Sequence, residues 1–269
     1  MKLIFRLFVV VFVVLIGGSC SEYRKALRSD DMQFKYDMAV EYFKKEKFAK
    51  ALPLFDELFI LYRGSDKGER IAFYLAKCEY GIKDYISAGY HFGQFHKDYP
   101  SSMYAEESQF LSALCSYKMS PKYSLDQSDT FKAIRAFQLF AIQYPESVRM
   151  DSCNLLLDEL RFKIELKEYK TAKLYYKRES YKAATVALKN FNSKFPNSEY
   201  KEETWFLWLK ASYLLAINSV EEKKSERIEA AKKAYSTFAD RFPQSDYLKE
   251  AEIMAKELDR VGEAELKES

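Results

Sequence analysis

The sequence predicts an all-α chain of about five helical hairpins stacked as an α-solenoid. Three observations predict it. Only 8 glycines and 6 prolines occur in 269 residues, so tight hairpins and glycine-rich phosphate loops have little to be built from. Aromatic residues make up 16%, with 21 Phe and 21 Tyr, which is enough side-chain volume for a large core and excludes a disordered chain. Third, one pattern of apolar residues at helical spacing recurs along the chain.

The first element is a targeting segment. Lys2 and Arg6 precede an unbroken apolar run, Leu7 to Ile16, and then come Gly17, Gly18, Ser19 and Cys20. A basic start, a short apolar stretch and small residues before a cut describe a secretory signal peptide over residues 1–19. The run is about half of the ~20 residues that a membrane-spanning helix needs. Cysteine directly after the small residues resembles a bacterial lipobox. That resemblance implies acyl chains on Cys20, which becomes the new N-terminus and anchors the protein to a membrane. Without residues 1–19 the chain keeps 41 basic and 40 acidic side chains, which argues against nucleic acid as a partner. Residues 20–30 read as a short polar tether carrying the lipid.

The repeats follow, over residues 31–262. Four prolines share a setting, at Tyr99-Pro100, Tyr144-Pro145, Phe195-Pro196 and Phe242-Pro243, each with Ser two residues after the proline. Twelve residues before them stand Ala88, Ala133, Ala184 and Ala231. Eight before stand Phe92, Phe137, Leu188 and Tyr235, and five before Phe95, Phe140, Phe191 and Phe238. An upstream copy has Ala51, Phe55, Leu58 and Tyr62, with Arg63 in the proline slot and then Gly64-Ser65. These spacings form one apolar stripe per helix. The alanine marks close approach of a neighbour, and the proline ends the helix. The serine stands where it can cap the next helix, and acidic residues follow it.

The Ala-x₃-aromatic…Pro spacing resembles the second helix of a tetratricopeptide repeat. The first helix then places Ala39, Ala76 and Ala172 twelve residues upstream, with Tyr42 and Tyr175 at the next aromatic slot. Repeats three and five lack that spacing, and Met119–Asp129 and Glu221–Arg227 read as insertions between their helices. Residues 263–269 read as a charged tail.

No catalytic motif is present, and the chain reads as a non-enzyme without a metal or cofactor. His91 and His96 are five residues apart and so not on one helical face. The cysteines left after processing, Cys78, Cys115 and Cys153, form no CxxC pair and read as small buried residues. A tetratricopeptide-type surface would bind another polypeptide with the first helix of each repeat. There Tyr36, Val40, Phe43, Arg70, Phe73, Lys77 and Tyr80 suit an extended peptide bearing aromatic side chains. The alternative for these aromatics is that they seal the junctions between repeats.

A lipobox followed by five such repeats resembles the BamD family, lipoprotein subunits of the β-barrel assembly machinery of the bacterial outer membrane. Two segments carry the likeness beyond the repeats: Tyr123-Ser124-Leu125-Asp126-Gln127-Ser128-Asp129-Thr130, and the run Leu166 to Arg178 with Glu168, Ala172 and paired Tyr175-Tyr176. The resemblance implies a lipid-anchored scaffold in the outer membrane, on its periplasmic face. Its partners would be a BamA-like barrel subunit with periplasmic domains and unfolded β-barrel proteins. Residues 33–80 would then face substrate, and Tyr169, Lys173, Tyr176 and Arg178 would dock the barrel subunit. Ala187 stands where enteric members of the family carry Arg. The other reading is a generic repeat adaptor for cell-wall or secretion machinery.

Overall fold

A computed structural model of the chain describes residues 22–268, apart from the side chains of residues 66 and 264–268. The expected signal peptide, residues 1–19, and Cys20 lie outside the described residues. Every regular element described is a helix: α1 (22–28), α2 (Met32–Lys44), α3 (Phe48–Leu61), α4 (Asp66–Gly81), α5 (Tyr85–Asp98), α6 (Ala105–Met119), α7 (Ser128–Gln143), α8 (Met150–Lys177), α9 (Tyr181–Lys194), α10 (Lys201–Ile217), α11 (Glu221–Arg241) and α12 (Leu248–Glu268). Helices α2 to α11 pair as five hairpins of a tetratricopeptide-like, all-α fold. None of the described helices is long and apolar enough to cross a membrane.

The described residues divide into two compact units, 22–121 with 125–160 and 122–124 with 161–268. In the first unit, α2 and α3 close on Ala39, Tyr42, Ala51, Leu54, Phe55 and Leu58. The next hairpin closes on Ala76, Ala88, Phe92 and Phe95, and the third on Phe110, Ala113, Ala133, Phe137 and Phe140. In the second unit, Ala172, Ala184, Leu188, Leu207 and Ala211 form one cluster. Phe206, Leu209, Ala234, Phe238, Ala251 and Met254 form another, to which α12 contributes the last two.

The stripe read from the sequence is this core. Ala51, Ala88, Ala133, Ala184 and Ala231 are all fully buried, as are Phe55, Phe92, Phe137 and Leu188. The helix ends follow from the prolines. Tyr99, Tyr144, Phe195 and Phe242 take extended φ values between −125° and −131°, because the proline ring crowds a preceding residue out of the helical region. In the first hairpin Arg63 cannot do this, and Gly64 at φ +82° turns the chain instead.

The structure departs from the sequence reading in four places. Residues 22–28 are a helix and not a plain tether: Ala26 is fully buried, and Tyr23 meets Tyr42 edge-on with ring centres 5.6 Å apart. Repeats three and five do carry the missing small or apolar residue, as Ala113 and Leu209, both fully buried. Glu221–Arg227 is helical and lengthens α11 at its start, whereas the other insertion leaves a loop only at residues 120–127. Finally, α12 continues to Glu268, through the residues expected as a tail.

Candidate functional site

The first helix of each hairpin meets the next hairpin through one recurring contact. A ring three residues before the small buried position stacks under the residue four after the proline slot. Phe73 lies under Tyr104 (4.4 Å between ring centres, 14° between planes), Tyr169 under Tyr200 (4.1 Å, 9°) and Phe206 under Tyr247 (4.4 Å, 11°). Where the second residue is basic the contact is cation–π: Lys67 Nζ is 5.7 Å from the Tyr36 ring, and Arg149 is 6.0 Å from the Phe110 ring.

Polar contacts repeat around these rings. The serine after each proline accepts from the backbone N–H two residues on, at 3.0 Å for Ser102, Ser147 and Ser198. Its hydroxyl donates to a carboxylate on the first helix of the hairpin before: Ser102 to Glu69 (2.5 Å), Ser147 to Glu106 (2.6 Å) and Ser198 to Glu165 (2.6 Å). The serine therefore caps the turn before the helix and ties successive hairpins together. A lysine four residues after the ring reaches the acid at the start of the next first helix. The pairs are Lys77–Glu107 at 3.0 Å, Lys173–Glu203 at 2.5 Å and Lys210–Glu250 at 2.5 Å.

These junctions decide where the sequence-selected residues lie. Phe73 and Tyr169 are each only 4% exposed, and Lys77 and Lys173 spend their charge on a neighbouring carboxylate. The hydroxyl of Tyr169 also donates to Glu203 (2.5 Å) and accepts from Lys173 (2.9 Å). Burial pushes the Glu203 carboxyl up, but hydrogen bonds from Lys173 and Tyr169 outweigh it and hold its pKa below the usual value. Phe43 stacks on Tyr74 at 4.5 Å, Tyr80 meets Tyr85 edge-on, and Val40 packs against the core of the first hairpin. Tyr36 and Arg70 come together: the Arg70 guanidinium donates a hydrogen bond to the Tyr36 hydroxyl, which holds its pKa above the ordinary value. Arg70 is exposed and Tyr36 partly so, and Tyr74 beside them gave no signal in the sequence. Tyr176 is half-buried and meets Tyr181 at 6.2 Å, whereas Arg178 is exposed.

An open groove of about 1100 Å³ lies in the second unit. The second half of α8 lines it with Thr171 and Tyr175, α9 with Val186 and Ala187, and the end of α10 with Leu215. Glu168 and Glu179 stand at its α8 side, and Lys182 at its α9 side. Tyr175 is 40% and Val186 57% exposed, unusual for apolar side chains sharing one concavity. On α8, Tyr169, Lys173 and Tyr176 share the stripe facing α10, and Glu168, Thr171 and Tyr175 share the stripe facing the groove.

The buried polar cluster of the first unit is structural in character. His91 Nδ1 lies 2.7 Å from Glu79, which is 6% exposed. That hydrogen bond, first, and then the charges of Glu79, Asp56 and Asp84 raise the His91 pKa against burial. Burial pushes the Cys78 and Cys115 thiols up to about 12, so neither is a nucleophile at neutral pH. Among the described residues, no group of three or more His, Cys, Asp or Glu is placed to hold a metal ion.

The junctions are sealed hairpin by hairpin, and an open groove lies beside those of the second unit. The family model described as "YfiO: Outer membrane lipoprotein" matches residues 28–228 and 163–267. The chain belongs to the YfiO family of outer membrane lipoproteins. The two matches together run from the end of α1 to the end of α12, so all five hairpins fall within the family. No curated protein matches the chain.

Proposed function

We propose that this lipoprotein is the BamD-like, non-catalytic scaffold of the outer-membrane β-barrel assembly machinery. Cys20 carries its acyl chains and holds it on the periplasmic face of the outer membrane. The groove lined by Thr171, Tyr175, Val186, Ala187 and Leu215 docks the periplasmic domains of a BamA-like barrel subunit, with Arg178 exposed beside it. The observation that carries this reading is that groove, apolar and open, in a member of an outer membrane lipoprotein family. Alanine at position 187 in place of the arginine of enteric members makes the contact here one of apolar area more than of charge.

Unfolded barrel proteins are held on the first helices of the first unit. There Tyr36, Val40, Arg70 and Tyr74 remain partly accessible, while Phe43, Phe73, Lys77 and Tyr80 build the wall behind them. A basic guanidinium among tyrosine rings favours extended segments that carry aromatic side chains. The work done is positional: two polypeptides are held near each other and no bond is made or broken.

The experiment is a mild-detergent pull-down of the tagged lipoprotein, with copurifying proteins identified by mass spectrometry. A barrel protein with repeated periplasmic domains is expected in stoichiometric amount, and Val186→Asp is expected to remove it. Recovery of wall-binding or secretion components without that barrel would overturn the assembly role in favour of a generic adaptor.

A further inference from the structure

The start of α1 is fixed to one edge of the first hairpin. The Tyr23 ring meets Tyr42 near the end of α2, and Lys50 Nζ stands 5.5 Å from the Tyr23 ring and 5.6 Å from the Tyr42 ring. Glu22 lies close enough to the turn between α2 and α3 to help raise the pKa of Lys45, after the hydrogen bond and charge of Glu41. Only Ser21 separates Cys20 from Glu22, and two residues span at most about 7 Å of extended chain. An acyl chain on Cys20 would therefore enter the bilayer close to this edge.

The edge has the chemistry of a headgroup-binding surface. It is made by the turn between α2 and α3 and the turn between α4 and α5. These adjoin around a shallow depression of about 440 Å³ lined by Lys47, Phe48, Lys50, Gly81 and Ile82. Lys45 is occupied by Glu41, and Asp84 by the backbone N–H of Ser87 at the start of α5. Among the described residues, Lys44, Lys47 and Lys83 have no carboxylate partner, and Glu22, Glu46 and Asp84 are the acids that remain near them. Ile82, 42% exposed, lines the depression with Lys47 and offers an apolar contact for the interfacial region.

We propose that Lys44, Lys47, Lys83 and Ile82 dock the first two hairpins on anionic phospholipid headgroups beside the lipid anchor. The placement rests on the acylation of Cys20 proposed above; the affinity does not. Acyl chains and a basic surface are additive signals, so the protein is oriented on the bilayer as well as tethered to it.

The test uses the mature chain with Cys20→Ser, made without residues 1–19, and vesicles of phosphatidylcholine with or without phosphatidylglycerol. Bound protein is read by co-sedimentation at low and high salt. Binding is expected on the anionic vesicles alone, falling with salt, and at least about tenfold weaker for Lys44→Glu/Lys47→Glu/Lys83→Glu. A charge-matched control, Lys97→Glu/Lys201→Glu/Lys233→Glu, is expected to bind like the parent. Equal binding to both vesicle types, full binding by the first triple variant, or equal loss in the control would each overturn the proposal. Melting curves of both variants establish that they are folded. Intact mass of the native lipoprotein reads acylation separately, so absence of acyl mass would remove the anchor and leave the vesicle result standing.

Discussion

Phe73 and Tyr169 occupy the same place in their hairpins, and each carries a flat ring against a tyrosine of the next hairpin. Phe73 also touches Phe92 and Phe95, with ring centres 6.1 and 5.8 Å away. Truncation leaves a cavity that three rings cannot fill, so Phe73→Ala is expected to lower stability by about 3–4 kcal/mol. Arg178→Ala removes an exposed side chain and is expected to change stability by less than about 0.5 kcal/mol. Urea denaturation followed by circular dichroism checks both. His91 gives a pH signature. Its folded pKa is raised by Glu79, so its contribution is fully present below its unfolded pKa and is lost as pH rises through the folded value. Burial also raises the Asp56 pKa, and the stability lost there is lost as pH rises above the ordinary carboxylate value; the neutral range belongs to His91. The melting temperature of the first unit is therefore expected to fall as pH rises through the neutral range. His91→Gln is expected to flatten that part of the profile.

At the scale of the element, the helix-to-helix turns hold backbone strain. Glu46, Lys83 and Glu179 all adopt left-handed φ, at 54°, 68° and 60°, in the corresponding turns of three hairpins. Each costs about 1–2 kcal/mol against glycine in that region, partly offset because glycine is freer when unfolded. Glu46→Gly is expected to stabilise by about 0.5–1 kcal/mol, seen as a higher melting temperature. The pair α5 and α6 shows the opposite constraint. A Cβ on Gly89 would stand 3.1 Å from Cys115 Cβ, and one on Gly93 would stand 3.3 Å from Ser112 Oγ. Gly89→Val is expected to force the helices apart and destabilise by about 1–3 kcal/mol in the same assay. The stripes of the second helices were legible because their members recur at helical spacing along one helix. Ala113 and Leu209 were not, because extra residues at the loop 120–127 and at the start of α11 broke the twelve-residue spacing to Ala133 and Ala231.

At the scale of the whole molecule, the residues that close the junctions are not those that line the open groove. In the second unit the junction of Tyr169, Lys173 and Glu203 is closed, and the groove of Tyr175, Val186 and Leu215 is open. Val186→Asp places a charge on an exposed apolar site. It is expected to weaken capture of the barrel subunit at least about tenfold while moving the melting temperature by no more than a typical surface change. Isothermal titration with the isolated periplasmic domains checks the first, and a melting curve the second.

By itself the sequence determined the helical class, the number of hairpins, the buried face of each second helix and the stop before Pro100, Pro145, Pro196 and Pro243. All of these are local: period, ring constraint and small-residue placement act within about fifteen residues of one another. Tertiary structure alone decided which first-helix rings were free and which were sealed. The ring and its cover are 31 to 41 residues apart, and the exposed face that forms the groove on α8 has no period to betray it. Tertiary structure also turned the expected tether into a helix, because burying Ala26 and stacking Tyr23 on Tyr42 needs a surface that exists only once α2 and α3 have closed.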